Sequence, residues 1–243
     1  DYPVPGYSSY FGTNHAARLP QGTVARCNPV NGLPGCYAAG IENIHVGDTI
    51  SGAQYGCVDT PEEVYEVKLV ARNSDGEIVG MTLLRDREWV DENVQGDVAE
   101  LDFPEGPRVG PAAVLAVTRA SAPARACGLV TGTFQRLAYL TLALVLAGGE
   151  TLQVTPEHPV YSTDRDGWVA AAEVAAGELL ATEDGEIRVL STTPVVGPVW
   201  VHNLEVAGAH EYFVGGARIR AHNDCGNARP ASPSGDLSNS GPE

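Results

Sequence analysis

Five side chains in the C-terminal half of this sequence are of types that can break a peptide bond. His222-Asn223 supplies the most direct chemistry. An asparagine amide can attack its own main-chain carbonyl, close a five-membered succinimide and expel the amine of the following residue, here Asp224. The reaction is slow in an ordinary peptide because the amide nitrogen is a poor nucleophile and the leaving nitrogen needs a proton. A neighbouring histidine titrates near neutrality and can donate that proton or polarise the carbonyl. Thr155 and His158 in "TPEHP" stand three apart after an apolar run, a spacing that folds into a tight turn aiming a hydroxyl and an imidazole at one carbonyl oxygen. His210 in "VAGAHEYFVGG" gains meaning only if the fold brings it to the others. The second dipeptide of the same kind, His202-Asn203, shows that His-Asn alone specifies nothing.

Positioning these groups falls to β-strands. "VYEVKLVARNSDGEIVGMTLL" reads as two strands about Asp75-Gly76, and "YLTLALVLAGGETLQVT" as two more about Gly148-Gly149. "EIRVLSTTPV", "VWVHNLEV" and "EYFVGGARIRAHN" follow as further strands, the last ending on His222-Asn223, where a strand end can hold geometry rigidly. Helix is confined to short turns at "DREWVDENV" and "GWVAAAEVAAGEL". "IENIHVGDTI" (41–50) echoes "AAEVAAGELL" (171–180): Ile41, Ile44, Gly47, Asp48 and Ile50 fall on Ala171, Val174, Gly177, Glu178 and Leu180. Each copy predicts an apolar turn closed by a glycine before a new strand, and two copies suggest a pseudo-two-fold β fold.

Composition narrows the function classes. The 243 residues carry 31 acidic and 15 basic side chains, a formal charge of −16 that repels phosphate backbones and anionic lipid, so nucleic-acid and membrane-surface partners are not expected. The apolar run Leu137 to Ala147 is shorter than the ~20 residues of a spanning helix. The chain starts at Asp1 and reads as a piece of something longer. Five scattered cysteines include no CxxC pair, and no metal or cofactor site is indicated; small buried hydrophobes plus one disulfide are expected, with an odd thiol left over. Residues 1–17 are an irregular lead-in and 224–243 a tail too poor in apolar side chains to offset ordering entropy.

The ordered set "LQVTPEHPVY", "GWVAAAEVAAGELL" and "VHNLEVAGAHEYFVGGARIRAHN" resembles the Hint (hedgehog/intein) superfamily, most closely its bacterial polymorphic-toxin type; "LLRDREW" and "GLVTGTF" also resemble that variant. The resemblance runs over about 41–223 and implies an all-β, pseudo-two-fold, horseshoe-like Hint/intein domain over 18–223 with one or two short helical turns. Carried over by position, it implies that Thr155 and His158 polarise the N-terminal junction, that His210 and His222 assist the C-terminal one, and that Asn223 cyclises. His202 falls where such domains carry a tyrosine. The resemblance also implies a monomeric unit of a larger exported protein, secreted or at the cell surface, acting on its own flanking polypeptide.

Two positions depart from the family. Members begin with a Cys or Ser nucleophile in a segment like C-F/L-x-A-G-T-x-V. "RLPQGTV" (18–24) has the G-T but puts Arg18 at the nucleophile, Cys27 has nearly the usual spacing without the G-T, and "CYAAG" (36–40) runs too soon into Ile41; Cys27 and Arg18 stand level, with Cys36 behind them. Splicing also needs Cys, Ser or Thr after the asparagine, and Asp224 is there, with Cys225 one residue late. The leading expectation is therefore single-turnover cleavage after Asn223 without ligation. The alternatives are a degenerate Hint module serving as a non-catalytic spacer and an extracellular β-rich binding module that mimics the motifs.

Overall fold

The computed structural model describes residues 22–27, 36–51, 57–73, 76–101, 110–208 and 211–222; Arg18, His210, Asn223, Cys225, the lead-in and the tail lie outside them. β1 (Thr23–Arg26) and β2 (Tyr37–Gly40) form a hairpin that leads into a 3-10 turn over Ile41–Asn43. The middle of the chain holds β3 (Cys57–Asp59), the hairpin of β4 (Val64–Arg72) and β5 (Ile78–Asp86), the helix α1 (Arg87–Asn93), β6 (Val94–Gln95), β7 (Val98–Glu100), β8 (Pro111–Ala120) and β9 (Arg125–Cys127). Then come β10 (Val130–Leu146), β11 (Thr151–Val154), the hairpin of β12 (Pro159–Ser162) and β13 (Gly167–Ala170), and a second 3-10 turn over Ala171–Glu173. β14 (Leu179–Thr182), β15 (Gly185–Val206), β16 (Glu211–Val214) and β17 (Ile219–His222) complete the described chain. One antiparallel sheet runs β2-β1-β16-β17-β12-β14-β15-β10-β5-β4-β8-β7-β6, with β11 on β10 and β13 on β12; β3 and β9 pair separately.

Alternation along the strands builds two main cores. Val67, Leu69 and Ala71 of β4 meet Val79, Met81 and Leu83 of β5 across the ladder and bury with Phe134. The larger core gathers Val24, Ile44, Leu144, Leu180, Tyr212 and Ile219 from both halves of the chain. Each fully buried aliphatic side chain there contributes about 1.5–3 kcal/mol.

The echo between 41–50 and 171–180 is a structural duplication. β1 pairs with β2 from Thr23↔Gly40 to Arg26↔Tyr37, and β12 pairs with β13 from Pro159↔Ala170 to Ser162↔Gly167. The Ile41 amide donates to Gly22 C=O at 2.8 Å, and the Ala171 amide to His158 C=O at 2.9 Å. Gly47 and Gly177 adopt φ of 88° and 96°, the left-handed region that only glycine enters without strain, and donate to Val130 C=O and Val189 C=O. A buried carboxylate closes each turn. Asp48 accepts from the His45 amide and pairs with Arg26; Glu178 accepts from the Ala175 amide and Ser162 Oγ and pairs with Arg165. Burial pushes the Glu178 carboxyl up, but the hydrogen bonds from Ser162, Ala175 and Arg165 outweigh it and hold its pKa below the usual range.

Several elements differ from the sequence expectation. "EIRVLSTTPV" and "VWVHNLEV" are one strand, β15, despite Pro194, Gly197 and Pro198. Between Ala138↔Val199 and Leu140↔Val196 the ladder with β10 absorbs an extra residue, where Gly197 takes φ 145°; β14 pairs only with Gly185–Arg188, so among the described residues the prolines sit on an open edge. β8, a ten-residue partner of β4, was not expected from the sequence. The helical expectation at "DREWVDENV" is met by α1, capped by Asp86, whose carboxylate accepts from the Trp89 amide at 2.8 Å.

The cysteines form two disulfides rather than one. Cys27–Cys36 closes the tip of the β1–β2 hairpin, and Cys57–Cys127 ties β3 to β9 across 70 residues of chain. Loop closure predicts that losing the second costs about 4 kcal/mol and losing the first, which spans 9 residues, about 2.5 kcal/mol. Urea midpoints of the paired serine replacements check this order: Cys57→Ser with Cys127→Ser is expected to unfold at lower urea than Cys27→Ser with Cys36→Ser.

Candidate active site

β17 lies between β16 and β12, with Val160 of β12 opposite Ala221 and Glu211 of β16 opposite His222. β12 begins at Pro159 and β17 ends at His222, so the turn that precedes β12 and the end of β17 share one end of the sheet. In that turn the His158 amide donates to Thr155 C=O at 3.1 Å, and Ala172 donates to Pro156 C=O at 2.8 Å, which pins the turn to the 3-10 segment after β13. This is the tight Thr-x-x-His turn expected of "TPEHP". Thr155 is buried, and Glu157 leans outward to pair with Arg136.

His158 keeps part of its surface open, yet the protein around it crowds the ring. Burial lowers its pKa to about 4; Glu157 opposes that shift, and the charge His222 can carry adds to it. The interaction with His222 places the two imidazoles within electrostatic reach of one another. At neutral pH His158 is a neutral ring, able to accept a proton.

His222 carries company that the sequence did not announce. Its ring meets Trp168 of β13 with centroids 4.9 Å apart at 66°, and Trp168 meets Tyr161 edge-on at 5.3 Å. Arg220, two residues before His222 and so on the same face of β17, lies 4.5 Å over Tyr161 and 5.3 Å over Trp168. Glu211 binds that guanidinium through both oxygens. The only sequence signal for this group was the spacing of Arg220 and His222 within one strand.

The other candidates separate. His210 and Asn223 lie outside the described residues. Cys27 does not fit the nucleophile's part: its sulfur is bonded to Cys36, and a disulfide has no thiolate to attack a carbonyl. Cys27 directly follows β1, while Gly22 and Thr23 of "RLPQGTV" stand at its start. In that register, position 18 holds arginine. His202-Asn203 sits inside β15, where burial lowers the pKa of His202 against the pull of Glu42, and Asn203 Oδ1 accepts from Tyr212 OH at 2.8 Å and from the Leu204 amide. It is a structural pair. Among the described residues no group of three metal-ligating side chains occurs.

Residues 115–225 match the family model of the pretoxin HINT domain, a segment that holds Thr155, His158, His210, His222 and Asn223 and excludes Cys27 and Cys36. Residues 115–225 belong to a Hint domain. Among solved structures, this Hint domain is similar to the solution structure of a bacterial intein-like domain from Clostridium thermocellum, with 21% identity over 68% of this chain and 100% of that one and a TM-score of 0.37. It is similar also to the TvoVMA intein (14% identity, 65% of this chain and 98% of that one, TM-score 0.38) and to the transcription factor IIB Mvu mini-intein (16%, 65% and 97%, 0.37). No curated protein matches the chain.

The depressed pKa of His158 has a consequence for stability. An unfolded chain takes up this proton near pH 6.5 and the fold only near 4, so between those values the unfolded state binds more protons. The contribution is intact above pH 6.5 and is lost as pH falls toward 4. Between pH 7 and 4.5 the loss from this ring amounts to about 2.5 kcal/mol. Urea unfolding of wild type and His158→Gln at both pH values measures it: the variant should lose less stability by about that amount, and equal losses would refute the assignment.

Proposed function

We propose that this Hint domain is a single-turnover autoprocessing unit that breaks the peptide bond between Asn223 and Asp224 and does not join its flanks. The observation that carries this reading is the pairing of β12 with β17, which brings the turn holding His158 and the strand end holding His222 to one end of the sheet, within electrostatic reach of each other, where the chain passes to Asn223. In the proposed step Asn223 Nδ2 attacks the Asn223 carbonyl carbon and the bond to the Asp224 nitrogen breaks. The proton leaving Nδ2 goes to neutral His158, and the departing nitrogen receives one from His222. His210 assists by polarising the carbonyl. The products are a chain ending in a succinimide and a segment that starts at a free Asp224 amine.

Ligation lacks two groups. Arg18 stands in the nucleophile's register, the Cys27 sulfur is bonded to Cys36, and Asp224 offers only a weakly nucleophilic carboxylate. In this reading the domain spans 18–223 of a larger exported, toxin-like protein, and its substrate is its own flanking polypeptide. Two disulfides suit an oxidising compartment.

A reporter fused after Asp224 tests the proposal. Release is expected from wild type and not from Asn223→Ala, and His222→Ala should slow it by roughly 10²- to 10⁴-fold, the usual worth of a positioned acid–base group. The paired replacement Cys27→Ser with Cys36→Ser should still release the reporter. A fusion that stays intact in every variant, wild type included, would make the domain a non-catalytic spacer.

A further inference from the structure

The face shared by β16, β17, β12 and β13 carries a connected group of side chains that the proposed cleavage step does not itself consume. Cross-strand partners lie on one face of a sheet, so the pairs Glu211↔His222 and Tyr161↔Trp168, together with Arg220 two residues before His222, point the same way. The contacts agree. Glu211, buried to 7% exposure, takes the Arg220 guanidinium; the guanidinium stacks over Tyr161 and Trp168; and the Trp168 ring abuts His222. Tyr161 is anchored in turn by its hydroxyl, which donates to Asp166 at 2.7 Å.

We propose that Trp168 is a positioning residue for cleavage: its ring, clamped by Arg220 and Tyr161, fixes the His222 imidazole in the orientation that delivers a proton to the leaving nitrogen. This rests on the reading of the site given above. Indole is well suited to the part. Its electron-rich face holds the permanent cation of Arg220, its size spans the gap from that cation to His222, and the indole itself does not titrate when a histidine changes charge. Arg220 could not stay in this apolar stack without Glu211, and Glu211 could not stay buried without Arg220. The clamp is therefore rigid because its most polar members neutralise each other. A proton donor needs that rigidity, since a displacement of about 1 Å in a reacting group can cost on the order of 100-fold in rate.

Two measurements separate this proposal from the reading beneath it. In the reporter fusion, Trp168→Ala and Trp168→Leu should slow release by roughly 10- to 100-fold, while Trp168→Phe, which restores an aromatic edge against His222, should recover most of the rate. Release from Trp168→Leu as fast as from wild type, in a protein with the same strand content by circular dichroism, would overturn the proposal. The second measurement does not require cleavage. In Asn223→Ala protein, side-chain coupling constants and ring resonances of His222 should report one χ1 rotamer with Trp168 present and averaging among rotamers in Trp168→Leu. A single unchanged rotamer in both would overturn the positioning role even if the reporter were never released, and averaging in a protein that fails to cleave would leave the clamp standing and remove the cleavage reading alone.

Discussion

β17 must lie against β12 for anything in this fold to act on the C-terminal junction. The two strands are about sixty residues apart in the chain, and the pairing of Val160 with Ala221, both without exposed surface, joins them. A His-Asn dipeptide in a free chain has its proton donor in every orientation. Pinned between β16 and β12, His222 has its backbone fixed from both sides and its ring set by what the neighbouring strands present: Trp168 from β13 and the charge-sensitive ring of His158 from the turn before β12. Loop closure and strand ordering are met once, by the fold, and the site inherits the geometry.

That fold is a scaffold used twice. Asp48 and Glu178 close the same turn by the same amide hydrogen bond, each answered by an arginine, and both lie in positions where an unpaired carboxylate would be costly. The halves part company beside those turns. In the second, His158 stands at the entry to the hairpin, with its carbonyl bonded to Ala171. In the first, Gly22 stands in the equivalent place, with its carbonyl bonded to Ile41, and the hairpin tip is closed by Cys27 and Cys36. Symmetry in the backbone thus coexists with asymmetry in the side chains: the second hairpin is preceded by Thr155 and His158, and the first is closed by Cys27–Cys36.

What could be read from the sequence was what local physics dictates. Strand alternation around Gly76 and Gly148-Gly149, the Thr-x-x-His turn and the repeated apolar turn closed by glycine each follow from a few neighbouring residues, and each is present in the fold. What could not be read depends on partners distant in the chain. β15 runs through two prolines because no strand among the described residues pairs with its outer edge there, which the residues 190–200 do not reveal. Cys57 and Cys127 are bonded because β3 and β9 pair, and Cys27 lost its place as a candidate nucleophile to a bond with Cys36 that spacing alone leaves open. Trp168, Tyr161, Arg220 and Glu211 come from four strands, and only their shared face makes them one group.

The account stands on one bond, between Asn223 and Asp224. The most direct test is the intact mass of the purified chain with its natural downstream sequence, followed over time at neutral pH. The account predicts a fragment ending at Asn223 that is one water lighter than the hydrolysed chain, as a succinimide must be, together with a released segment starting at Asp224. A fragment ending at Asn223 with the full mass of a free carboxylate from the outset, or a cut at any other bond, would contradict it.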